Sequence, residues 1–323
     1  MTPGDPLLRL LARFGEEGVV DARRRATLRA LGGLAAALAV TPAAAQPAAL
    51  LARPIPATGE SLPVIGLGTW QVFDAGGDAG ARAPLREVLK LFFAGGGRMV
   101  DSSPMYGTSE SVVGDLCAEL MVCEPLFVAT KVWTSGRDEG VRQMETSFRR
   151  LRVEKMDLMQ VHNLVDVETH SKTLADWKAR GRVRYVGITH YTSSAYSEIE
   201  KWLKTGRYDF LQINYSLAER ESERRLLPLA RERKVGIVIN RPFAEGAMFR
   251  RVRGKPLPEW AREIGAASWA QFFLKWILGH PAVTCAIPGT GRPEHMKDNL
   301  AAGLGALPDE AMRRRMAAHF DSL

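Results

Sequence analysis

Four polar side chains in the sequence could together protonate a carbonyl oxygen: Asp101, Tyr106, Lys131 and His162. Three of them end short apolar runs, and Tyr106 follows the first of these runs. A tyrosine hydroxyl is a weak acid, with a reference pKa of about 10, but a neighbouring ammonium draws that pKa towards neutrality. The residue types therefore predict Tyr106 as a general acid, Lys131 as the ammonium that lowers its pKa, and Asp101 as the carboxylate that keeps Lys131 charged.

His162 completes this chemistry as a second hydrogen-bond donor. Beside the Tyr106 hydroxyl, it could hold the alkoxide that forms when a hydride reaches a carbonyl carbon. No side chain can supply hydride, so we also expect a nicotinamide cofactor at the same site. Taken singly, each of the four residues has an ordinary packing role. Together, at the ends of successive strands, they favour a catalytic site.

A parallel βα fold must position these residues. Short apolar runs that favour strands alternate with longer amphipathic segments from Ile65 onward. Eight runs predict strands, at residues 64–67, 98–101, 126–130, 156–162, 185–189, 210–214, 236–240 and 284–288. Five segments between them predict helices, at residues 84–94, 139–151, 174–180, 195–204 and 221–233. This count and order indicate an α/β fold of the (β/α)8 TIM-barrel type, whose catalytic residues lie at the carboxyl ends of the strands.

Short elements flank the predicted barrel at both ends. Residues 55–62, with Thr58-Gly59-Glu60 at their centre, predict a hairpin that closes the bottom of the barrel. Residues 293–303 and 308–320 predict two extra helices after the last strand. No linker rich in proline, glycine or serine divides the chain, so we expect residues 46–323 to form one domain.

The first 45 residues have the order of an export signal. Arg23, Arg24 and Arg25 precede an apolar run at residues 30–40, and the small residues 43–45 follow it. An arginine pair before a modest apolar stretch resembles a bacterial twin-arginine signal, although Thr27 stands where an aromatic residue is usual. We therefore expect cleavage near Ala45, a twin-arginine (Tat) export machinery as partner, and a periplasmic protein. The alternative is a basic amphipathic surface helix on a cytoplasmic protein.

Composition excludes several other classes of protein. The net charge of +8 comes from scattered basic residues, which does not favour a nucleic-acid partner. The apolar run at residues 30–40 is too short for a stable membrane anchor. The sequence has three cysteines, Cys117, Cys123 and Cys285, and they fit neither a disulfide framework nor a metal site. A disulfide between Cys117 and Cys123 remains an alternative in an oxidising compartment. We expect that the protein binds no metal ion, and we take a monomer as the default oligomeric state.

Five segments resemble the aldo/keto reductase family: IGLGTW at residues 65–70, VDSSPMYG at 100–107, ATKVW at 129–133, VHN at 161–163 and IPGTGRPEHMKDN at 287–299. The resemblance covers nearly all of residues 54–305. It implies a (β/α)8 barrel that uses NADP(H), with Tyr106 as general acid, Lys131 and Asp101 tuning it, and His162 orienting the carbonyl.

The resemblance also implies a set of cofactor-binding residues. They are Gly68, Thr69, Trp70, Asp101, Thr189, His190, Gln212, Arg241, Phe243, Pro288, Gly289, Thr290, Arg292, His295, Asp298 and Asn299. Several depart from the family pattern. Thr189 and His190 replace a usual Ser-Asn pair, and Arg241 stands where a tyrosine often stacks on the nicotinamide. Gly289 and His295 replace a frequent lysine and a frequent arginine, but Arg292 or Lys297 could contact the 2′-phosphate, so NADP is favoured over NAD.

These observations predict an enzyme that transfers hydride from NADPH to a small-molecule aldehyde or ketone. An alternative is an exported nucleotide-binding or regulatory protein on the same barrel, with little turnover, because a fold does not fix a function. The four-residue site argues against that alternative. A metal-dependent barrel hydrolase or isomerase is disfavoured, because the strand ends lack a His, Asp and Glu cluster with metal-ligand spacing.

Overall fold

The structure is a computed structural model that describes residues 49–122 and 126–323. The predicted export signal at residues 1–45, the predicted domain start at Gln46, and Cys123 lie outside the described residues. The other two cysteines, Cys117 and Cys285, are buried.

Eight parallel strands follow one another around a barrel in chain order. They are β3 (Leu67–Gly68), β4 (Met99–Asp101), β5 (Phe127–Val132), β6 (Met156–His162), β7 (Val183–Thr189), β8 (Phe210–Asn214), β9 (Gly236–Asn240) and β10 (Val283–Ala286). Parallel bridges between Ile65 and Ala286 and between Gly68 and Gly289 join the first strand region to the last. The prediction of a (β/α)8 barrel is confirmed.

An antiparallel hairpin precedes the barrel, as the sequence predicts. Its strands are β1 (Ala52–Pro54) and β2 (Ser61–Pro63). Ile55 and Leu62 are fully buried in one cluster with Phe127 and Phe210, the first residues of β5 and β8. The hydroxyl of Tyr185 donates to Glu60 Oε2 at 2.7 Å. The hairpin therefore closes the end of the barrel at which the strands begin.

Ten α-helices of the described chain surround the strands. They are α1 (Ala79–Ala94), α2 (Ser109–Leu120), α3 (Arg137–Leu151), α4 (Val167–Ala179), α5 (Tyr196–Lys204), α6 (Leu226–Glu232), α7 (Ala247–Arg251), α8 (Trp269–Leu278), α9 (Pro293–Ala301) and α10 (Glu310–Ser322). The two predicted helices after the last strand are present as α9 and α10. Among residues 49–122 and 126–323, no helix is long and apolar enough to span a bilayer.

Some helices differ from the sequence prediction. The single helix predicted at residues 221–233 is divided into a short 3₁₀ turn, Glu221–Arg224, and α6. The sequence analysis did not name α2, α7 and α8. In α8 every residue from Gln271 to Leu278 is buried, so the segment has little of the polar and apolar alternation that marks a surface helix. It begins where Ser268 accepts a hydrogen bond from the Gln271 N–H.

Backbone strain is concentrated after the carboxyl ends of three strands. Non-glycine residues with positive φ follow β3 (Gln71), β6 (Asn163, Leu164 and Asp166) and β9 (Arg241, Ala244 and Glu245). Positive φ costs free energy for any residue with a Cβ, and such residues cluster at functional sites. This face of the barrel is therefore where a binding site is expected.

Candidate active site

A buried ion pair lies at the carboxyl end of two neighbouring strands. Asp101 ends β4, and Lys131 is the penultimate residue of β5. Lys131 Nζ lies 2.5 Å from Asp101 Oδ2, with side-chain exposures of 0% and 3%, and it donates to the Ser102 carbonyl at 2.7 Å. Burial lowers the pKa of Lys131, but Asp101 and Tyr106 together outweigh it, so the pKa is raised. Lys131 is therefore held as a cation.

The second oxygen of Asp101 accepts two amide hydrogen bonds. Gln212 Nε2 donates to Oδ1 at 2.7 Å, and Gln160 Nε2 donates to the same oxygen at 3.2 Å. Gln212 Oε1 accepts from the Thr189 hydroxyl at 3.1 Å. Donors on β6 and β8 thus fix the carboxylate that faces Lys131. Thr189 and Gln212, expected to contact the cofactor, are bonded to each other and to the catalytic cluster.

Gln160 is a site residue that the sequence analysis missed. It is fully buried on β6, two residues before His162. Alternate residues of a strand share one face, so this spacing places Gln160 on the same side of the sheet as His162. A buried amide at that position was the available signal, because buried polar groups require partners.

Tyr106 lies next to the ammonium, as the sequence predicts. Lys131 Nζ lies 5.1 Å from the centroid of the Tyr106 ring, close enough for its positive charge to act on the phenol. The direction of its pKa shift is opposite to the expectation. Burial raises the pKa of Tyr106, and the opposing effect of Lys131 does not cancel that rise. The sequence argument included the charge but not the removal of water, which penalises the phenolate.

His162 faces the phenol from the end of β6. Its ring is T-shaped to that of Tyr106, with the centroids 6.0 Å apart, and it lies 6.4 Å from the ring of Trp133. Nδ1 is 3.0 Å from the Ser103 hydroxyl. Burial, then the charges of Lys131 and His190, lower the pKa of His162 to about 2. The imidazole is therefore neutral near pH 7 and carries one N–H.

The arrangement brings the four predicted catalytic residues together at one end of the barrel. An acidic O–H and an imidazole N–H side by side can stabilise a developing alkoxide, and a fixed ammonium can stabilise the phenolate left behind. Within residues 49–122 and 126–323, no three His, Cys, Asp or Glu side chains are placed to hold a metal ion. The described site is organised for proton transfer.

Comparison with known proteins assigns the chain to a family. The model of the aldo/keto reductase family matches residues 64–318. The chain belongs to the aldo/keto reductase family. It is therefore related to known oxidoreductases, and the matched residues include the four-residue cluster.

Two curated relatives are methylglyoxal reductases of Escherichia coli K12. Methylglyoxal reductase YeaE is 28% identical over 250 residues, covering 75% of this chain and 85% of the relative. An NADH-specific methylglyoxal reductase is 23% identical over 307 residues, covering 77% and 92%. An aldo-keto reductase from Klebsiella pneumoniae, crystallised in complex with NADPH, is 24% identical with a TM-score of 0.69, covering 81% and 92%. This last similarity shows the shared fold.

Buried polar atoms around the strand ends fit the nicotinamide nucleotide that this aldo/keto reductase is expected to bind. Such atoms without a hydrogen-bond partner among the described residues include Gln160 Oε1, Asn163 Oδ1, Glu219 Oε2 and Asn240 Oδ1. A carboxamide offers both donors and acceptors, so it can pair with atoms of this kind. His190 is half-buried, and its Nδ1 accepts from the Thr192 N–H at 3.2 Å, which leaves Nε2 for a ligand.

Arg241 occupies the loop after β9 with a left-handed backbone, φ 47°. Its guanidinium lies 3.5 Å from carboxylate oxygens of both Glu219 and Glu245, and it donates to the Tyr191 carbonyl at 3.0 Å. These carboxylates offset the positive charge that Arg241 brings to the site. Phe243, which the resemblance assigns to the cofactor site, packs against Phe249, with the ring centroids 4.9 Å apart.

The loops after β3 and β10 meet at the barrel seam, where the bridges Ile65–Ala286 and Gly68–Gly289 join the first strand region to the last. A Cβ on Gly68 would lie 2.8 Å from the Ile287 carbonyl, so this contact requires glycine. The Pro288 carbonyl accepts from the Gly68 N–H at 3.4 Å. Thr69 is buried and donates to the Asp101 carbonyl at 3.0 Å, whereas the neighbouring Trp70 is exposed. The seam thus links the loop that carries Trp70 to the catalytic cluster.

The remaining predicted cofactor residues lie in and before α9. Thr290 Oγ1 accepts from the Arg292 N–H at 3.0 Å, and Arg292 pairs with Glu294 at 2.5 Å. Asp298 accepts from Ser268 and Gln271, so it also holds the start of α8. Gly289, His295 and Lys297 are exposed, and Asn299 is buried. Arg292, His295 and Lys297 therefore form a basic surface segment of α9 and its entry loop.

Proposed function

We propose that this aldo/keto reductase reduces an aldehyde or ketone with hydride from NADPH, using Tyr106 as the general acid. The observation that supports the proposal is the buried cluster of Tyr106, Lys131, Asp101 and His162 at the carboxyl end of the barrel. Each member contacts another member of the cluster. Ordinary packing does not require a buried ammonium beside a phenol.

The chain's own residues manage the proton and the charge. When bound, the nicotinamide supplies the hydride to the carbonyl carbon. His162 donates a hydrogen bond to the carbonyl oxygen, and Tyr106 transfers its phenolic proton to that oxygen as negative charge develops. Lys131 then stabilises the phenolate, and Asp101 keeps Lys131 in place. Solvent returns the proton to Tyr106 before the next turnover.

Burial of Tyr106 supports the same assignment. Its raised pKa keeps the phenol protonated at neutral pH, so the acid is loaded before the substrate arrives. A hydride transfer places an alkoxide next to it, and an alkoxide is a stronger base than a phenolate. The proton therefore moves to the substrate oxygen. Lys131 limits the cost of the phenolate that results.

The decisive experiment removes only the phenolic hydroxyl. Tyr106→Phe should lower kcat by about 10²-fold or more, the scale of general acid catalysis, while the Kd for NADPH stays close to wild type. Tyr208→Phe is the control, because it removes a buried hydroxyl that pairs with Ser171 instead. A panel of aldehydes and ketones, including methylglyoxal, serves as substrate. Near-normal turnover by Tyr106→Phe would contradict the assignment.

We also propose that the protein is made with a twin-arginine export signal and acts in the periplasm. The support is the order of Arg24-Arg25, the apolar run at residues 30–40 and the small residues 43–45. A twin-arginine route carries folded cargo, which suits an enzyme that binds its nucleotide before export. Residues 46–323 would then be the mature domain.

A further inference from the structure

The hydroxyl of Ser103 contacts the catalytic cluster but has no part in the proton transfer described above. Ser103 is fully buried, two residues after the end of β4. Its carbonyl accepts from the Tyr106 N–H at 3.0 Å, and its Oγ lies 3.0 Å from His162 Nδ1. Ser103 therefore joins the turn that carries Tyr106 to the ring of His162.

The hydrogen atoms at this contact can be counted. A serine hydroxyl has one hydrogen to donate and two lone pairs to accept. The Met105 N–H donates to Ser103 Oγ at 3.5 Å, which occupies one lone pair. In the described structure the other partner of Oγ is His162 Nδ1, and a peptide N–H cannot accept a hydrogen bond. If Nδ1 donated to Oγ, the buried serine hydrogen would have no acceptor among the described residues, whereas donation from Ser103 to Nδ1 pairs it. The arrangement in which Ser103 donates to Nδ1 is therefore favoured.

The direction of this hydrogen bond decides the tautomer of His162. A neutral imidazole has one N–H and one nitrogen lone pair, and a partner at one nitrogen fixes the role of the other. If Nδ1 accepts from Ser103, the ring hydrogen is on Nε2. The opposite tautomer would leave Nε2 as an acceptor, which repels a carbonyl oxygen.

We propose that Ser103 is a positioning residue that holds His162 in the tautomer with the hydrogen on Nε2, ready to donate to the substrate oxygen. The proposal rests on the proposed carbonyl reduction, in which His162 is that donor. Since Ser103 also accepts from the Tyr106 backbone N–H, the same residue sets the placement of both groups that meet the oxygen.

The direct test measures the tautomer without substrate or cofactor. In protein labelled with ¹⁵N-histidine, long-range ¹H–¹⁵N correlation spectra distinguish a protonated ring nitrogen from an unprotonated one. The His162 signals are assigned by their loss in His162→Gln. We expect a protonated Nε2 and an unprotonated Nδ1 in the wild-type protein at pH 7. A protonated Nδ1 would overturn the proposal, even if no variant folds.

Variants then test whether the hydroxyl causes this state. Ser103→Ala should give a mixture of tautomers and lower kcat by about 10-fold, the value of one hydrogen bond, with the Kd for NADPH unchanged. Ser103→Thr, which restores a hydroxyl, should recover both the spectrum and part of the rate. Ser171→Ala is the matched control, because it deletes a buried serine hydroxyl that pairs with Tyr208. Its His162 signals should equal those of the wild type.

Two outcomes contradict the proposal about Ser103, and a third contradicts the proposed function instead. Unchanged His162 signals in Ser103→Ala would show that the serine does not set the tautomer. Altered signals with an unchanged kcat would show that the tautomer does not limit catalysis. Near-normal turnover by Tyr106→Phe would overturn the proposed function but leave the tautomer measurement intact, so the two failures are distinguishable.

Discussion

Lys131 Nζ lies 2.5 Å from Asp101 Oδ2, inside a barrel end where both side chains are almost completely buried. Gln160 and Gln212 donate to the other carboxylate oxygen, so Asp101 has side-chain partners on three other strands, β5, β6 and β8. A buried ion pair adds little to the free energy of unfolding compared with two apolar side chains of similar size. Removing one member, however, leaves the other charge buried without a partner, which is strongly destabilising. Removing one charge of the pair is therefore expected to destabilise this end of the barrel more than removing both charges.

We predict that Lys131→Met lowers the free energy of unfolding by about 3–5 kcal/mol, because the Asp101 charge stays buried without its cation. Asp101→Asn combined with Lys131→Met should recover much of that loss, since no buried charge remains. Urea unfolding followed by circular dichroism measures both variants. Equal or greater loss in the double variant would show that the ion pair itself is strongly stabilising.

The neutral state of His162 predicts a pH dependence of stability. Its pKa is lowered from 6.5 to about 2 in the folded chain, so below pH 6.5 the unfolded state binds a proton that the folded state does not. The stabilising contribution is complete above pH 6.5 and is lost as the pH falls, at about 1.4 kcal/mol per pH unit. In His162→Gln, the slope of the free energy of unfolding against pH should be smaller between pH 4 and 6. The decrease should be about 1.4 kcal/mol per pH unit, the contribution of one proton. The exposed His295→Gln is the control, and equal slopes in the wild type and His162→Gln would contradict the prediction.

Arg292 should contribute to the choice between NADPH and NADH. Its side chain is exposed and paired with Glu294, so it can turn to a 2′-phosphate at little cost in desolvation. We expect Arg292→Ala to weaken NADPH binding by about 10-fold, the scale of a charge-assisted hydrogen bond, and to leave NADH binding unchanged. Fluorescence titration measures both affinities, with Arg314→Ala on α10 as the control. An equal loss for both nucleotides would exclude a phosphate contact.

Export should depend on the arginine pair. Replacing Arg24 and Arg25 by lysine keeps the charge but removes the pattern that the twin-arginine machinery recognises. The periplasmic fraction should then fall to near background, with precursor accumulating in the cytoplasm. Cell fractionation with an antibody measures this, and Arg29→Lys is the control. An unchanged periplasmic yield, or a mature protein that begins with Met1, would contradict the localisation.

The barrel was predictable because its strands are local patterns. Residues 156–162 are an apolar run buried on both faces, and β6 has the predicted bounds. By contrast, α8 is buried along nearly its whole length and has no polar face to mark its period.

The catalytic cluster was only partly predictable. Asp101, Tyr106, Lys131 and His162 could be found because each stands at the end of a strand or in the loop after it. Gln160 and Ser103 were missed, because their roles depend on partners across the barrel. For Gln160 the only signal in the sequence was an amide two residues before His162 on the same strand. The direction of the Tyr106 pKa shift depends on burial in three dimensions, which no spacing in the sequence records.

The barrel seam limits when this chain can complete its fold. The strand region at Ile65 meets its neighbour only when Ala286 has been synthesised, so the sheet stays open throughout most of translation. A nascent or truncated chain that lacks β10 exposes an unpaired edge at β3 and another at β9, and open edges recruit other chains into aggregates. Loss of the C-terminal segment from β10 onward is therefore expected to harm solubility, because it leaves both of these edges unpaired.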